Sequence, residues 1–304
     1  MYLYLPIAEL SVNALYIVLL GAGVGLLSGM FGLGGGFLTT PFLVFFGIPP
    51  AIAAASAATQ QTGASVSGLL AHLRRGGVDF KMGWLLVGGG TIGSLFGAFI
   101  FGLLQRAGQI DTVINVLYVV LLLTMGIAMT RGAARTLLRR RRGLIDAPAR
   151  RRHHPLVAAL PWRTRFAASG LYLSPLAPLL LGFVTGIATA LLGVGGGFLL
   201  IPAKVYLFGM RAKVVAGTSL FQILFVTATA TLTNALTNHS VDVVLAGLLL
   251  IGSTVSAQFG SRFAQRADPT AMRLTLGVLV LLVGLRLAAG LTIRPDEIYT
   301  VQLG

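Results

Sequence analysis

The chain has 304 residues, of which 56% are hydrophobic and 10% are charged, and its formal net charge at pH 7 is +15. Several apolar runs reach the roughly 20 residues that cross a bilayer as a helix, so the composition indicates a polytopic membrane protein. Cysteine is absent, which excludes disulfides, zinc–thiolate sites, iron–sulfur clusters and thiol nucleophiles.

Five apolar segments follow one another in the first part of the chain, at 8–31, 35–47, 51–72, 82–104 and 111–130. Five more follow in the second part, at 173–193, 196–209, 213–236, 242–262 and 271–291. The N-terminal segment lacks the basic start of a secretory signal and is predicted to be retained. The second segment of each set has about 13 residues, too few to span the bilayer comfortably as a helix.

Both short segments begin at a glycine cluster, in GMFGLGGGFLTTPFL at 29–43 and in ALLGVGGGFLLIPAK at 190–204. We interpret each cluster as the point where a helix unwinds inside the membrane and returns as a half helix, which makes a re-entrant hairpin. Lipid cannot satisfy the peptide groups of unwound backbone, so such a break survives only inside protein or beside a hydrated cavity.

The sequence is a duplication of one unit. Placing Gly34–Gly36 over Gly195–Gly197 also aligns the Phe and the Pro that follow each cluster. With two single-residue insertions, the alignment continues through further matched pairs: Ser56 with Thr218, Gln60 with Gln222, and Asp79 with Asp242. We therefore predict a first transmembrane repeat at 1–130 and a second at 169–304, joined by a loop at 131–168.

Basic residues predict how the repeats are oriented. Eleven of the 23 Lys and Arg residues lie between Arg131 and Arg165, so the 131–168 loop is predicted to be cytoplasmic. A hairpin plus three further helices makes an odd number of crossings, so the second repeat must be inverted, which also places the basic residues of 262–273 inside. The predicted fold class is an all-α polytopic membrane protein of the plasma (inner) membrane, with two inverted repeats and both termini outside. Each repeat is a glycine-broken re-entrant helix hairpin plus three transmembrane helices.

The Arg-rich loop leaves a second function open. Its arginines could bind anionic lipid or recruit a partner, and the protein would then be a membrane scaffold that transports nothing. His153 and His154 in the same loop are predicted to be solvated rather than metal ligands.

The two glycine breaks are the predicted centre of a binding site. Breaks that approach from opposite sides would place two half-helix N-termini near the midplane, as in secondary transporters with inverted repeats. Free N–H groups and a partial positive charge make a helix N-terminus suitable for an anion. The alternative is that the glycines only allow close helix packing. The predicted substrate-binding glycines are Gly34, Gly35, Gly36, Gly195, Gly196 and Gly197.

Polar residues in the third segment of each repeat are the other predicted substrate contacts, namely Ser56, Gln60, Thr218, Ser219 and Gln222. Side-chain amides can donate hydrogen bonds to an oxyanion without burying a full charge. The alternative is that these side chains join helices. Lys204 has no basic counterpart in the first repeat, where Leu43 is aligned with it. A contact between Lys204 and the substrate is left open, but we expect the side chain to snorkel to the cytoplasmic surface.

Missing motifs exclude several other functions. None of the eight acidic residues lies in the middle of a span, which argues against a cation channel or a carboxylate-relay proton pump. The sequence contains neither a P-loop nor H-E-x-x-H, so ATP-driven export and zinc-protease chemistry have no support. We therefore expect no enzymatic activity, no cofactor, no metal site and no nucleic-acid partner.

The glycine motifs at 29–43 and 190–204, each followed by a Ser/Thr-containing apolar helix, resemble the hallmark of the TauE/SafE sulfite exporter family, also called the toluene sulfonate uptake permeases. The resemblance covers nearly the whole chain except the Arg-rich loop. It implies a secondary permease for sulfite, a sulfonate or a related organosulfur anion, with export as the expected direction. Besides this anion, the expected partners are membrane lipids, and a homodimer is left open. The second repeat is closer to the family pattern, so Thr218 and Ser219 are carried over first.

Overall fold

The computed structural model describes residues 2–31, 36–74, 76–142, 164–166, 168–210, 212–264 and 268–292. These residues form ten helices and two short β-hairpins. The first half contains β1 (Tyr2–Leu5), β2 (Leu10–Asn13), α1 (Ala14–Phe31), α2 (Gly36–Phe45), α3 (Pro50–Arg74), α4 (Phe80–Arg106) and α5 (Ile110–Arg141). The second half contains β3 (Thr164–Phe166), β4 (Leu171–Leu173), α6 (Leu176–Leu192), α7 (Gly197–Tyr206), α8 (Ala212–Leu236), α9 (Val243–Ala264) and α10 (Pro269–Thr292).

Helix boundaries follow the alignment of the two halves. The half helices α2 and α7 each have 10 residues and begin at aligned glycines, Gly36 and Gly197. α3 and α8 each have 25 residues and begin at the aligned positions Pro50 and Ala212. Five of the described helices, α4, α5, α8, α9 and α10, contain segments long and apolar enough to cross a membrane. The all-α, multi-pass class is therefore confirmed, whereas the opposite membrane orientation of the repeats stays a prediction.

Two boundaries differ from the sequence prediction. The segment predicted at 8–31 begins in the turn and second strand of a β-hairpin, in which β1 pairs antiparallel with β2, and α1 starts only at Ala14. Pro6, which cannot lie inside a helix without breaking it, stands in the turn between these strands. α5 continues to Arg141, past the predicted end at 130, because the Ala, Leu and Arg residues that follow favour helix.

Asp79 ties the first half to the second. It caps the N-terminus of α4, where its Oδ1 accepts a hydrogen bond from the Met82 N–H at 3.1 Å. Its Oδ2 accepts from the backbone N–H of Ser169 at 3.1 Å and from the Ser169 hydroxyl. Ser169 lies in the turn of the β3–β4 hairpin, which belongs to the other half.

Asp242 makes the equivalent contacts in the opposite direction. Its Oδ1 accepts from the Leu245 N–H at 3.0 Å in the first turn of α9. Its Oδ2 accepts from the Ile7 N–H at 3.2 Å, in the turn of the β1–β2 hairpin. Each half therefore supplies a hairpin that satisfies the buried carboxylate of the other half.

A second exchange involves the backbone of the same two aspartates. The Asp79 N–H donates to the Thr218 hydroxyl at 2.9 Å, and the Asp242 N–H donates to the Ser56 hydroxyl at 3.2 Å. Both hydroxyls are buried. The start of α4 is thus hydrogen-bonded to α8, and the start of α9 to α3.

Two helix pairs are packed backbone to backbone. α1 packs along α9, and α4 packs along α6. Because α1 corresponds to α6 and α9 corresponds to α4, one type of helix pair is formed twice. Small residues at four-residue spacing allow this close approach, as is common in membranes. A Cβ on any glycine of this set would overlap the backbone of the partner helix: Gly21, Gly25, Gly29, Gly89, Gly93, Gly182 and Gly186.

The described helices belong to two compact units. The first contains both hairpins, α1–α4 and α6–α9. The second contains α5 from Thr112 onward and α10, which approach each other where Gly126 lies beside Leu281 and Gly277 lies beside Thr130.

Replacing Thr218 with Val should destabilise the fold, because the buried Asp79 N–H would lose its acceptor at a cost of about 1–3 kcal/mol. Ser56→Ala should have the same effect at the aligned position. Thermal unfolding of the purified protein in detergent measures both. Thr124→Val is the control, since this exposed hydroxyl bonds only to carbonyls of its own helix. Melting temperatures of T218V and S56A equal to that of T124V would contradict the exchange of hydrogen bonds between halves.

Candidate anion-binding site

The break between α6 and α7 is made of glycines in the left-handed region of backbone space. Gly193 ends α6 with φ of 67°, and its N–H donates to the Thr189 carbonyl at 2.8 Å. Gly195 and Gly196 have φ of 64° and 73°. Residues with a Cβ rarely adopt such angles, so three of the four residues between the helices must be glycine for this turn to form.

The first turn of α7 presents backbone N–H groups to the break. α7 begins at Gly197, and no side chain among the described residues caps its N-terminus. The first N–H groups of a helix have no partner within the helix, and they carry its partial positive charge. Gly196, Gly197 and Phe198 are nevertheless buried. This arrangement of buried, uncapped donors suits a desolvated anion.

The two half helices meet immediately after their glycines. The rings of Phe37 in α2 and Phe198 in α7 are stacked, with centroids 4.3 Å apart and planes inclined by 9°. Both side chains are buried. These are aligned residues of the two halves, so the duplication brings equivalent positions of the two half helices into contact.

Gln61 of α3 contacts both the start of α2 and the break before α7. Its side chain lies against Gly36 at the start of α2, where a Cβ would overlap the amide. Its Oε1 lies directly against Gly195 in the break between α6 and α7. Gln61 is buried, and the methyl group of Thr227 in α8 borders the same glycine. One amide side chain therefore joins the glycine break of the second half to the half helix of the first.

Gln222 of α8 reaches the break through Thr185 of α6. The Thr185 hydroxyl donates within its own helix, to the Leu181 or Gly182 carbonyl, so it accepts the hydrogen bond from Gln222 Nε2 at 2.9 Å. Thr185 also borders Gly196. Gln222 Oε1 is buried and has no hydrogen-bond partner among the described residues. Nε2 carries two N–H donors and gives one to Thr185, so its second N–H, rather than the acceptor Oε1, is the group that an anion at the break can use.

The other predicted site residues have defined contacts. Gln60 Oε1 accepts from the Thr39 hydroxyl of α2 at 3.0 Å, which holds α3 against the half helix. The hydroxyls of Ser56 and Thr218 accept the hydrogen bonds from the aspartate N–H groups described above. The Ser219 hydroxyl accepts a hydrogen bond from Lys204 Nζ at 2.9 Å. Gly34 and Gly35 lie outside the described residues. A substrate role for the predicted residues stays a prediction.

Two residues of this region have positions that the sequence did not predict. Lys204 does not snorkel to a surface, because its side chain is completely buried. Gln61 is not among the predicted site residues, because only its neighbour Gln60 aligns with Gln222. The signal that would have found it is the second amide of the Gln60–Gln61 pair, on the helix face that turns toward the glycine breaks.

The fold and the site define a class: a multi-pass membrane protein with two half helices that meet near their N-terminal ends, the second of which is buried and uncapped. Residues 17–287 match the Sulfite exporter TauE/SafE family, and the chain belongs to this family. No solved structure matches the chain significantly.

Curated relatives agree with this class. The chain is similar to the "Probable membrane transporter protein YjnA" of Bacillus subtilis (strain 168), with 28% identity over 89% of this chain and 98% of that protein. It is 24% identical to the "Probable membrane transporter protein YunE" of the same organism, over 89% of this chain and 96% of that protein. A "Probable membrane transporter protein" of Xylella fastidiosa (strain Temecula1 / ATCC 700964) is 27% identical, over 88% and 93%.

Gly195→Ala should destabilise the protein more than Gly209→Ala does. Both glycines have positive φ, 64° and 67°, so both variants carry a similar backbone strain of about 1–2 kcal/mol. A Cβ at Gly209 meets nothing within 4 Å, whereas a Cβ at Gly195 overlaps Gln61. Thermal unfolding in detergent compares them, and Gln61→Ala added to G195A should recover the difference. Equal melting temperatures of G195A and G209A would contradict the packing of Gln61 against the break.

Proposed function

We propose that the protein is a secondary permease that exports a small sulfur-containing anion: sulfite, a sulfonate or a related organosulfur anion. The single observation that carries this proposal is the buried, uncapped N-terminus of α7 at the glycine break. An anion bound there would accept hydrogen bonds from the backbone N–H groups of Gly197 and Phe198 and from the Gln222 amide. Membership of a family described as sulfite exporters supports both the sulfur chemistry and the direction.

The chemistry of the surroundings favours an oxyanion over a cation. Buried carboxylates are the usual ligands for a transported cation. The two buried aspartates among the described residues use their oxygens for backbone N–H groups of the hairpins and helix starts. Amide and backbone N–H donors at the break can instead surround the oxygens of a sulfite or sulfonate group.

We place the protein in the inner membrane, with residues 131–168 on the cytoplasmic side. The arginines between Arg131 and Arg165 support this orientation. The first of them continue α5 as a helix to Arg141, and residues 143–163 lie outside the described residues. In the same orientation the end of α7 faces the cytoplasm.

Flux assays in proteoliposomes test the function. Purified protein would be reconstituted with internal sulfite, thiosulfate or ethanesulfonate, and release of each anion would be followed. We expect release of at least one, and Gln222→Leu should reduce its apparent affinity about tenfold, because one hydrogen bond to a charged group is lost. Gln258→Leu, at an exposed position of α9, is the matched control and should behave as wild type.

Shortening the loop separates the permease from the alternative scaffold. Removal of residues 143–152 leaves α5 intact and should leave flux unchanged. Folded wild-type protein that moves none of the three anions, while still binding anionic vesicles or a partner through residues 131–168, would contradict the permease and support the scaffold.

A further inference from the structure

Lys204 is a buried basic residue inside the second half helix. It lies in the last turn of α7, and its side chain is completely buried. Its Nζ donates one hydrogen bond, to the Ser219 hydroxyl of α8 at 2.9 Å. Leu200 and Phe208, four residues before and after it, are buried as well. An ammonium group has three N–H donors, so one hydrogen bond leaves most of its capacity unused.

No described carboxylate neutralises this charge. Lys204 forms no ion pair with any residue that the structure describes. The buried aspartates, Asp79 and Asp242, already accept backbone N–H groups with both carboxylate oxygens. An unpaired charge in such a place costs several kcal/mol, and ionisable residues at membrane depth are typical of substrate pathways.

The other half of the chain shows that the fold does not need this pair. Lys204 aligns with Leu43, and Ser219 aligns with Ala57. Leu43 and Ala57 are both completely buried. The same two positions of the same two helices are therefore filled by an apolar pair in the first half and by an ammonium and a hydroxyl in the second.

Compensation of the helix dipole does not explain the lysine either. A cation near a helix C-terminus is stabilising, and Lys204 is in the last turn of α7. However, α2 has the same length and ends with no basic residue in its last turn. A half helix of this kind thus forms without a cation at its end.

The position of the pair relates it to the break. Lys204 is seven residues after Gly197, about 10 Å along α7. Ser219 precedes Gln222 by one turn of α8, so the pair and the Gln222 amide occupy adjacent parts of one helix. The lysine therefore lies between the glycine break and the end of α7.

We propose that the Lys204 ammonium and the Ser219 hydroxyl form a second anion-binding station, which holds the sulfur oxyanion between the glycine break and the cytoplasmic end of α7. This inference rests on the proposed function for the identity of the anion. The ammonium neutralises the charge, and the two groups together donate to the oxygens of a sulfite or sulfonate. The station exists in one half only, so it makes the pathway asymmetric.

The test replaces Lys204 and Ser219 with the residue types that the first half has at the aligned positions. Lys204→Leu with Ser219→Ala recreates the Leu43 and Ala57 pair, and we expect the variant to fold with a melting temperature no lower than that of wild type, because a buried charge is removed. Equilibrium binding of radiolabelled sulfite to protein in nanodiscs should be weakened at least about tenfold. Lys81→Leu is the control, because it removes an exposed lysine and should bind sulfite as wild type does.

Lys204→Gln and Ser219→Ala as single variants carry the same readout if the double variant does not fold, and each should weaken sulfite binding. Wild-type affinity in the folded double variant, or in both single variants, would overturn the station. Lys204-dependent sulfite binding without flux would leave the station standing and remove the permease. Normal flux with Lys204-independent binding would do the reverse, and wild-type protein that binds no sulfite would overturn the station as well.

Discussion

Peptide groups that leave a helix inside a membrane must be satisfied by protein, and this constraint governs the structure. The chain breaks its helix at Gly193–Gly196 within an apolar sequence, where lipid offers no hydrogen bonds. The break is therefore buried against elements of both halves, including Gln61 of α3 and Phe37 of α2. Burial removes water from the first N–H groups of α7, and this makes them strong donors for an anion.

Burying the break requires the two halves to pack tightly against each other, and reciprocal hydrogen bonds between the halves hold them together. Each hairpin donates to the aspartate of the other half, and each aspartate N–H donates to a hydroxyl of the other half. Glycines on α1, α4, α6 and α9 bring the exchanged helix pairs into backbone contact. Glycine therefore has two roles in this chain: on the long helices it allows close packing, and at the break it provides backbone angles that other residues avoid.

Much of the fold could be predicted from the sequence, because glycine clusters, apolar length and matched residues are local signals. The half helices and the correspondence of Asp79 with Asp242 follow from them. The β1–β2 hairpin could not be recognised within a continuous apolar run, since its stability depends on the distant Asp242. The site could be predicted only in part. The positions of Gln61 and Lys204 depend on which side chains are enclosed where α3, α7 and α8 cross. Alignment of the halves carries no such information, because it matches Gln60 with Gln222 and matches Lys204 with the apolar Leu43.

The central claim is that the two halves are copies of one unit in opposite orientation, with half helices that meet from opposite sides. The most direct test uses Gln109 and Asp268, exposed residues in the equivalent turns after α4 and α9. Each would be replaced by cysteine in this cysteine-free chain and labelled with a membrane-impermeant thiol reagent, first in intact cells and then after permeabilisation. The account predicts that Q109C is labelled in intact cells and D268C only after permeabilisation. Labelling of both positions from the same side would contradict it.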